Sequence, residues 1–238
     1  MFFSDIHTHL LYGVDDGATD KNEMISMVDA AYNDGTRLIC ATPHCCPDLF
    51  GNNRESIDLA FKELTDYCAN KYPDLKLILG SELFYGGDGV MWLKNGLCKP
   101  LGGTKYVLVE FGVDESEASV LKSVNELFNK GYIPIIAHPE RYIKLSIGKL
   151  GELRKNGVLV QVNAADMRKI PFWQKLRLKK LLSKRLVNFV STDTHGLYNR
   201  PPCMSVFYKY VSEKYGESYA DEIFCLNAEK LFGSISEE

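Results

Sequence analysis

The chain contains five histidines, and each stands where an imidazole can meet a carboxylate. His7 and His9 are two residues apart, His44 follows Ala41-Thr42-Pro43, His138 follows Ile136-Ala137, and His195 follows Ser191-Thr192-Asp193-Thr194. Glu82, Glu110 and Asp193 occupy matching places, with Asp15 and Asp16 in the loop after His9. In an extended chain the side chains i and i+2 point the same way, so His7 with His9, and Asp193 with His195, can each face one pocket. Imidazole mixed with carboxylate suits zinc, iron or manganese rather than calcium. The five imidazoles with Glu82, Glu110 and Asp193 are more donors than one tetrahedral ion needs. A shared carboxylate such as Glu82 would let neighbouring ions sit close together, and Asp15 or Asp16 could add an oxygen ligand. One histidine at a strand end is ordinarily a satisfied polar residue; five interleaved with carboxylates point to a multinuclear metal site.

Other chemistries lack their residues. No cysteine is followed six positions later by arginine, so a thiolate phosphate-binding loop is missing. There is no G-x-S-x-G elbow, no P-loop and no H-E-x-x-H.

The elements that must position these groups are legible as alternating patterns. Short runs rich in branched and aromatic residues predict strands at 2–6, 38–42, 77–79, 106–110, 133–137, 158–162 and 188–191. Helical patterns fall at 21–33, 54–70, 116–129, 149–155, 172–183 and 204–214; Leu121, Val124, Leu127 and Phe128 show the buried stripe of one of them. Gly35, Gly131 and Gly157 each precede a strand, where a left-handed helix cap is wanted. Strands alternating with helices predict a parallel α/β sheet, and this length suits closure into a barrel whose chemistry gathers at the C-terminal strand ends. Every histidine follows or ends a predicted strand, so the five would converge on one rim.

Composition narrows the classes further. The chain has 238 residues, 45% of them hydrophobic and 25% charged, which fits a single globular domain over 1–238. Its 28 basic and 31 acidic residues sum to −3, which offers no footprint for docking on nucleic acid. No apolar run reaches the roughly 18 residues of a membrane span, and the N-terminus lacks a signal-peptide pattern. Seven scattered cysteines without a C-x-x-C pair are expected to be reduced thiols in a cytoplasmic protein. The segment from Arg168 to Arg185 holds eight basic residues and no acidic one: a solvated helix face, or a docking strip for an acidic partner. Asn163 and Tyr142 are candidate pocket-lining residues.

At Asp5-Ile6-His7-Thr8-His9 with Val14-Asp15-Asp16-Gly17, the chain resembles the polymerase-and-histidinol-phosphatase (PHP) superfamily. More narrowly, it resembles the bacterial protein-tyrosine phosphatases of capsule and exopolysaccharide gene clusters. The likeness runs on through Ala41-Thr42-Pro43-His44, Gly80-Ser81-Glu82, Val109-Glu110-Phe111, Ile136-Ala137-His138-Pro139-Glu140-Arg141-Tyr142, Ser191-Thr192-Asp193-Thr194-His195 and Arg200-Pro201-Pro202. Asp16 stands where histidinol phosphatases usually place a third histidine. Cys45-Cys46 stands where relatives commonly carry a basic or polar residue.

The resemblance implies a distorted (β/α)7 barrel with three divalent ions, manganese first, iron or zinc as alternatives. It implies one ion held by His7, His9, Glu82 and Asp193, a second by Glu82, Glu110 and His138, and a third by Asp16, His44 and His195. Arg141 and Arg200 would grip the phosphate while hydroxide generated at the cluster attacks phosphorus. The implied substrate is a phosphotyrosine protein, the cytoplasmic tyrosine-rich tail of a bacterial tyrosine kinase or polysaccharide co-polymerase. Hydrolysis of a small phosphomonoester of the histidinol-phosphate type or of a nucleic-acid end, and a non-catalytic metal-binding regulator, are the alternatives. The sequence leaves the oligomeric state open.

Overall fold

Along each strand alternate residues enter different apolar layers, and this alternation organises the molecule. The computed structural model describes residues 2–51, 53–86, 88–198 and 200–233. Nine strand segments occur among them: β1 (Phe3–Thr8), β2 (Thr36–Ala41), β3 (His44–Cys45), β4 (Lys76–Leu79), β5 (Glu82–Phe84), β6 (Tyr106–Glu110), β7 (Ile133–Ile136), β8 (Leu159–Asn163) and β9 (Phe189–Ser191). All pair in parallel, in the orders β1-β2-β4 and β3-β5-β6-β7-β8-β9. The sheet curls, and a bridge between Thr8 and Thr194 brings the chain after β9 back beside β1.

Nine segments stand where the sequence predicts seven strands, and β3 and β5 are the two additional ones. Pro43, which has no N–H to give a ladder, separates β2 from β3. Gly80 separates β4 from β5, and a Cβ there would lie 2.6 Å from the Leu101 side chain. These short segments, β3 and β5, carry His44 and Glu82 and are too short for a propensity signal. β1 also runs two residues beyond the expected Ile6, so His7 lies inside the strand.

Helices span Lys21–Asn33, Arg54–Lys71, Glu117–Asn129, Ile147–Lys155, Phe172–Ser183 and Met204–Tyr215, close to the predicted ranges. Asp20, Asn53, Ser116 and Ser146 cap four of them by accepting from first-turn N–H groups. Gly35, Gly131 and Gly157 all have positive φ, as expected of caps. Three short helical segments from Glu217 to Phe232 carry no signal in the sequence reading.

Val107, Val109, Ile136, Val160, Val162 and Val190 face the helices on one side of the sheet. Their neighbours Ile6, Leu38, Cys40, Ile78, Leu108, Ile135 and Phe189 form the inner layer, covered by Ala228, Leu231 and Phe232. The same inner face turns polar toward the C-terminal strand ends: Glu82 pairs in register with Leu108, and Gln161 with Phe189. No disulfide links the seven cysteines, and no helix among the described residues is long and apolar enough to cross a membrane.

Candidate metal centre

The polar end of the inner face is lined by the histidines and carboxylates singled out above. Strict alternation from Ile6 would turn His7 to the opposite face, but the β1–β2 register is irregular between Asp5 and Thr8. Such irregularities re-aim side chains next to functional sites. His7 Nε2 consequently lies 3.1 Å from His9 Nε2. After β7 and β9 the chain turns sharply: His138 (φ 32°) and Asp193 (φ 51°) are non-glycine residues in the left-handed region, a conformation that the surrounding structure has to enforce. Asp193 therefore meets His195 through this turn and not through the extended i, i+2 geometry expected of it; its Oδ1 lies 3.4 Å from His195 Nδ1.

The donors converge. His7, His9, Glu82 and Asp193 each offer an atom within 4.8 Å of the others; so do His9, Asp16, His44 and His195, and so do His44, Glu82 and Glu110. His138 Nε2 lies 3.0 Å from Glu82 Oε1 and 3.5 Å from Glu110 Oε1. Glu82 Oε2 is the hub, with His7 Nε2 at 3.0 Å, His44 Nδ1 at 3.1 Å and His9 Nε2 at 3.2 Å. Yet this buried oxygen accepts a hydrogen bond from none of them. Several nitrogens crowding one oxygen without hydrogen-bond alignment is what a shared cation between the donors would leave. The donor set and this unsatisfied atom fit divalent transition metals.

Three of the imidazoles, those of His7, His9 and His195, are oriented from behind. His7 Nδ1 contacts Gln161 Oε1 at 3.1 Å, and Gln161 Nε2 donates to Asn163 Oδ1 at 2.9 Å. The amide oxygen can only accept, so His7 holds its proton on Nδ1 and turns a lone pair on Nε2 inward. Asp15 Oδ2 does the same for His9 through Nδ1 at 2.7 Å and also accepts from the His44 N–H at 3.0 Å. His195 Nδ1 donates to the Asp193 carbonyl at 2.8 Å. Asp15 thus stands behind His9, whereas Asp16 reaches His195 Nε2 at 3.3 Å and His44 Nε2 at 3.5 Å. Gly17 permits this loop: a Cβ there would sit 2.1 Å from the His9 carbonyl oxygen. Gln161 is the partner that sequence reasoning missed. Its only signal is a polar residue between Val160 and Val162, in a strand that is otherwise apolar up to Asn163.

Charge is concentrated on the floor. Burial alone would raise the Glu82 and Asp193 carboxyls, but His7 and its neighbours outweigh it and hold both well below the usual range. Burial and the Glu82 charge push Glu110 up to about 8. Burial, aided by Arg141, pushes His138 down to about 4. Burial opposes the charged form of His9 too, yet Asp15 raises it well above its ordinary value. A protonated Glu110 beside an ionised Glu82 is the arrangement a cation would relieve.

The floor opens into a cavity of about 220 Å³, walled on one side by Arg141 and Arg200. Both guanidiniums donate to one oxygen, Asp193 Oδ2, at 2.8 and 2.7 Å, and Asn163 Nδ2 adds a third bond at 2.7 Å. Asn163 therefore holds Asp193, while Tyr142 is buried in the core and its hydroxyl accepts from the Phe111 N–H. The basic segment is not one face: Arg177 turns inward to the carbonyls of Pro139 and Leu145, and Arg185 donates to the Tyr215 carbonyl and lies over the Tyr219 ring.

Known proteins resemble this chain over most of its length. The model of the family described as capsular polysaccharide synthesis, CpsB/CapC, matches residues 3–233. The tyrosine-protein phosphatase CpsB of Streptococcus agalactiae serotype III (strain NEM316) is 29% identical over 235 residues, 95% of this chain and 97% of that one. The tyrosine-protein phosphatase YwqE of Bacillus subtilis (strain 168) is 32% identical over 82% of this chain and 78% of its own. A crystal structure from work on YwqE of Bacillus subtilis and CpsB of Streptococcus pneumoniae, described there as unique metal-dependent tyrosine phosphatases, superposes with a TM-score of 0.79. Its identity is 29%, over 91% of this chain and 89% of that chain. A putative histidinol phosphatase from Listeria monocytogenes shares the fold alone, with a TM-score of 0.53 at 14% identity, over 89% of this chain and 99% of that chain.

Proposed function

The chain belongs to the CpsB/CapC family, and from that premise we propose that it is a metal-dependent protein-tyrosine phosphatase. The observation that carries this reading is the hub at Glu82 Oε2, crowded by three imidazole nitrogens and hydrogen-bonded to none, in a cavity that two arginines also line. Our reading assigns His7, His9, Glu82 and Asp193 to one divalent ion, Glu82, Glu110 and His138 to a second, and Asp16, His44 and His195 to a third. Manganese is the first choice, iron or zinc the alternatives. Bound there, the ions would supply a nucleophile from water at neutral pH and neutralise charge on the phosphoryl group.

The chain's own residues do the rest. Asp193 Oδ2 tethers Arg141 and Arg200 before substrate arrives, so the guanidiniums are preorganised for charge-assisted bonds to phosphate oxygens. Gln161 and Asp15 accept from Nδ1 of His7 and His9, so that Nε2 is the nitrogen each would turn to an ion on giving up its second proton. On this reading the nine strand segments count as seven, with β2–β3 and β4–β5 each taken as one, in a distorted (β/α)7 barrel forming a single phosphatase domain. The substrate would be the phosphotyrosine tail of a bacterial tyrosine kinase acting in capsule or exopolysaccharide synthesis, met in the cytoplasm.

Metal analysis with steady-state kinetics tests the proposal. Chelation should abolish hydrolysis of a phosphotyrosine peptide and manganese should restore it, with three equivalents bound per chain. Phosphotyrosine should be preferred to phosphoserine and to histidinol phosphate. Full turnover by thoroughly stripped protein would overturn the reading.

A further inference from the structure

The cavity that holds the two arginines is also lined by Leu49, Phe50 and Phe84. Two elements put these apolar side chains there. Phe84 stands two residues after Glu82 in β5, so alternation points both to the inner face while Leu83 between them enters the core on the other. The short helix Pro47–Phe50, ended by Gly51 in the left-handed conformation, follows directly on His44–Cys45 and lays Phe50 against His44. The two rings are parallel within 2°, with centroids 5.2 Å apart. Leu49, next to them, is 72% exposed at the rim. The cavity thus combines two chemistries: cationic where Arg141 and Arg200 rest on Asp193, apolar where Phe50 stacks on His44 and Phe84 follows Glu82.

We infer that the Leu49–Phe50–Phe84 wall is an aryl-binding subsite, which selects phosphate esters of phenols over those of aliphatic alcohols. The inference rests on the phosphatase reading above and deepens it. An ester whose phosphoryl oxygens meet the arginines must send its leaving group elsewhere in the cavity, whose apolar lining offers ring faces and a leucine. A phenyl ring gains apolar burial and offset stacking there, whereas a serine-like methylene is too short to cover the wall. The wall also accounts for an exposed leucine beside a charged cavity: it is left bare for the substrate to cover.

Calorimetric binding of phenylphosphonate and methylphosphonate to the metal-loaded protein separates ring recognition from leaving-group chemistry, since neither compound is an ester. Wild type should bind the phenyl compound more tightly. Phe50→Ala and Phe84→Ala should each lower that preference by about tenfold, the scale of a lost apolar pocket contact, while methylphosphonate affinity stays unchanged. Phe50→Tyr should retain it. Because Phe50 lies on His44, metal content is measured alongside. If Phe50→Ala loses metal, Phe84→Ala and the exposed Leu49→Ser decide the matter. Variants that keep the wild-type preference, or that lose both phosphonates equally, overturn the subsite. If wild type prefers phenylphosphonate but leaves a phosphotyrosine peptide intact, the phosphatase reading fails and the subsite stands.

Discussion

At the floor of the cavity, the side chains of His7, His9, Glu82 and Asp193 are at most 1% exposed, and both imidazoles are fixed through their outer nitrogens by Gln161 and Asp15. At the mouth, the side chains of Arg141 and Arg200 are 26% and 37% exposed, and each leans on the floor through one contact, to Asp193. The floor is over-determined, so its donors keep their positions against mutual repulsion. The mouth is tethered to it chiefly through the second oxygen of Asp193. A buried group with several partners cannot be removed without stranding the others. A half-exposed group with one partner can. The two regions should therefore separate experimentally into metal retention and substrate grip.

The largest effect is expected at the hub. Glu82→Ala removes the oxygen that three imidazoles surround, so metal and turnover should disappear together. Losing metal-derived stabilisation of several kcal/mol corresponds to about 10³-fold or more in kcat/KM. Elemental analysis beside kinetics checks this; a Glu82→Ala protein that retains its full metal complement would erase the distinction between floor and mouth.

Next come the arginines. Arg141→Ala or Arg200→Ala leaves Asp193 Oδ2 with two of its three donors, so metal content should hold. A charge-assisted hydrogen bond contributes about 1.5–3 kcal/mol, so kcat/KM on a phosphotyrosine peptide should fall about 10–200-fold. Lysine should not rescue either position, because it lacks the planar fork. Wild-type efficiency in both alanine variants would remove the clamp from the mechanism.

A smaller effect sharpens the account of the floor. Gln161→Leu should lower metal affinity about 10–100-fold, the usual consequence of losing the partner behind a ligating histidine. Asp15→Asn should do less than Gln161→Leu, because an amide oxygen can still accept from His9 Nδ1. Metal titration followed by thermal melting would read both; unaltered affinity in Gln161→Leu would show that His7 needs no orientation.

The smallest effect is expected at the cysteines. Cys46 lines the cavity and burial raises its thiol, so it is a poor nucleophile at neutral pH. Cys46→Ser should keep wild-type turnover and metal content. Loss of one metal equivalent would identify it as a soft ligand.

Much of the floor was legible because its chemistry rests on residue type and strand position. Histidine and carboxylate are the residues that ligate, and in a parallel α/β pattern the C-terminal strand ends share a face. Asp15 was visible as a residue but not in its role, because facing inward or standing behind His9 depends on how the loop folds over Gly17. Gln161 stood out only as a polar residue between two valines, and its role was out of reach: it acts across 154 residues of chain, through a register no local pattern encodes. The aromatic wall was missed for a related reason. Phe84 belongs to a three-residue strand and Phe50 to a four-residue helix, both too short to leave a periodic signal.

The amino-acid sequence by itself determined the parallel α/β class, the five histidines and their partner carboxylates, and the motifs of the family, since these depend on composition, order and spacing. Tertiary structure alone decided which atoms face one another. The irregular register of β1 turned His7 inward, and left-handed turns at His138 and Asp193 bent the chain where extension was expected. The two oxygens of Asp193 were divided between imidazoles and arginines. Those are backbone conformations that the local sequence does not select, and they are settled only when distant strands pair and the buried charges find partners.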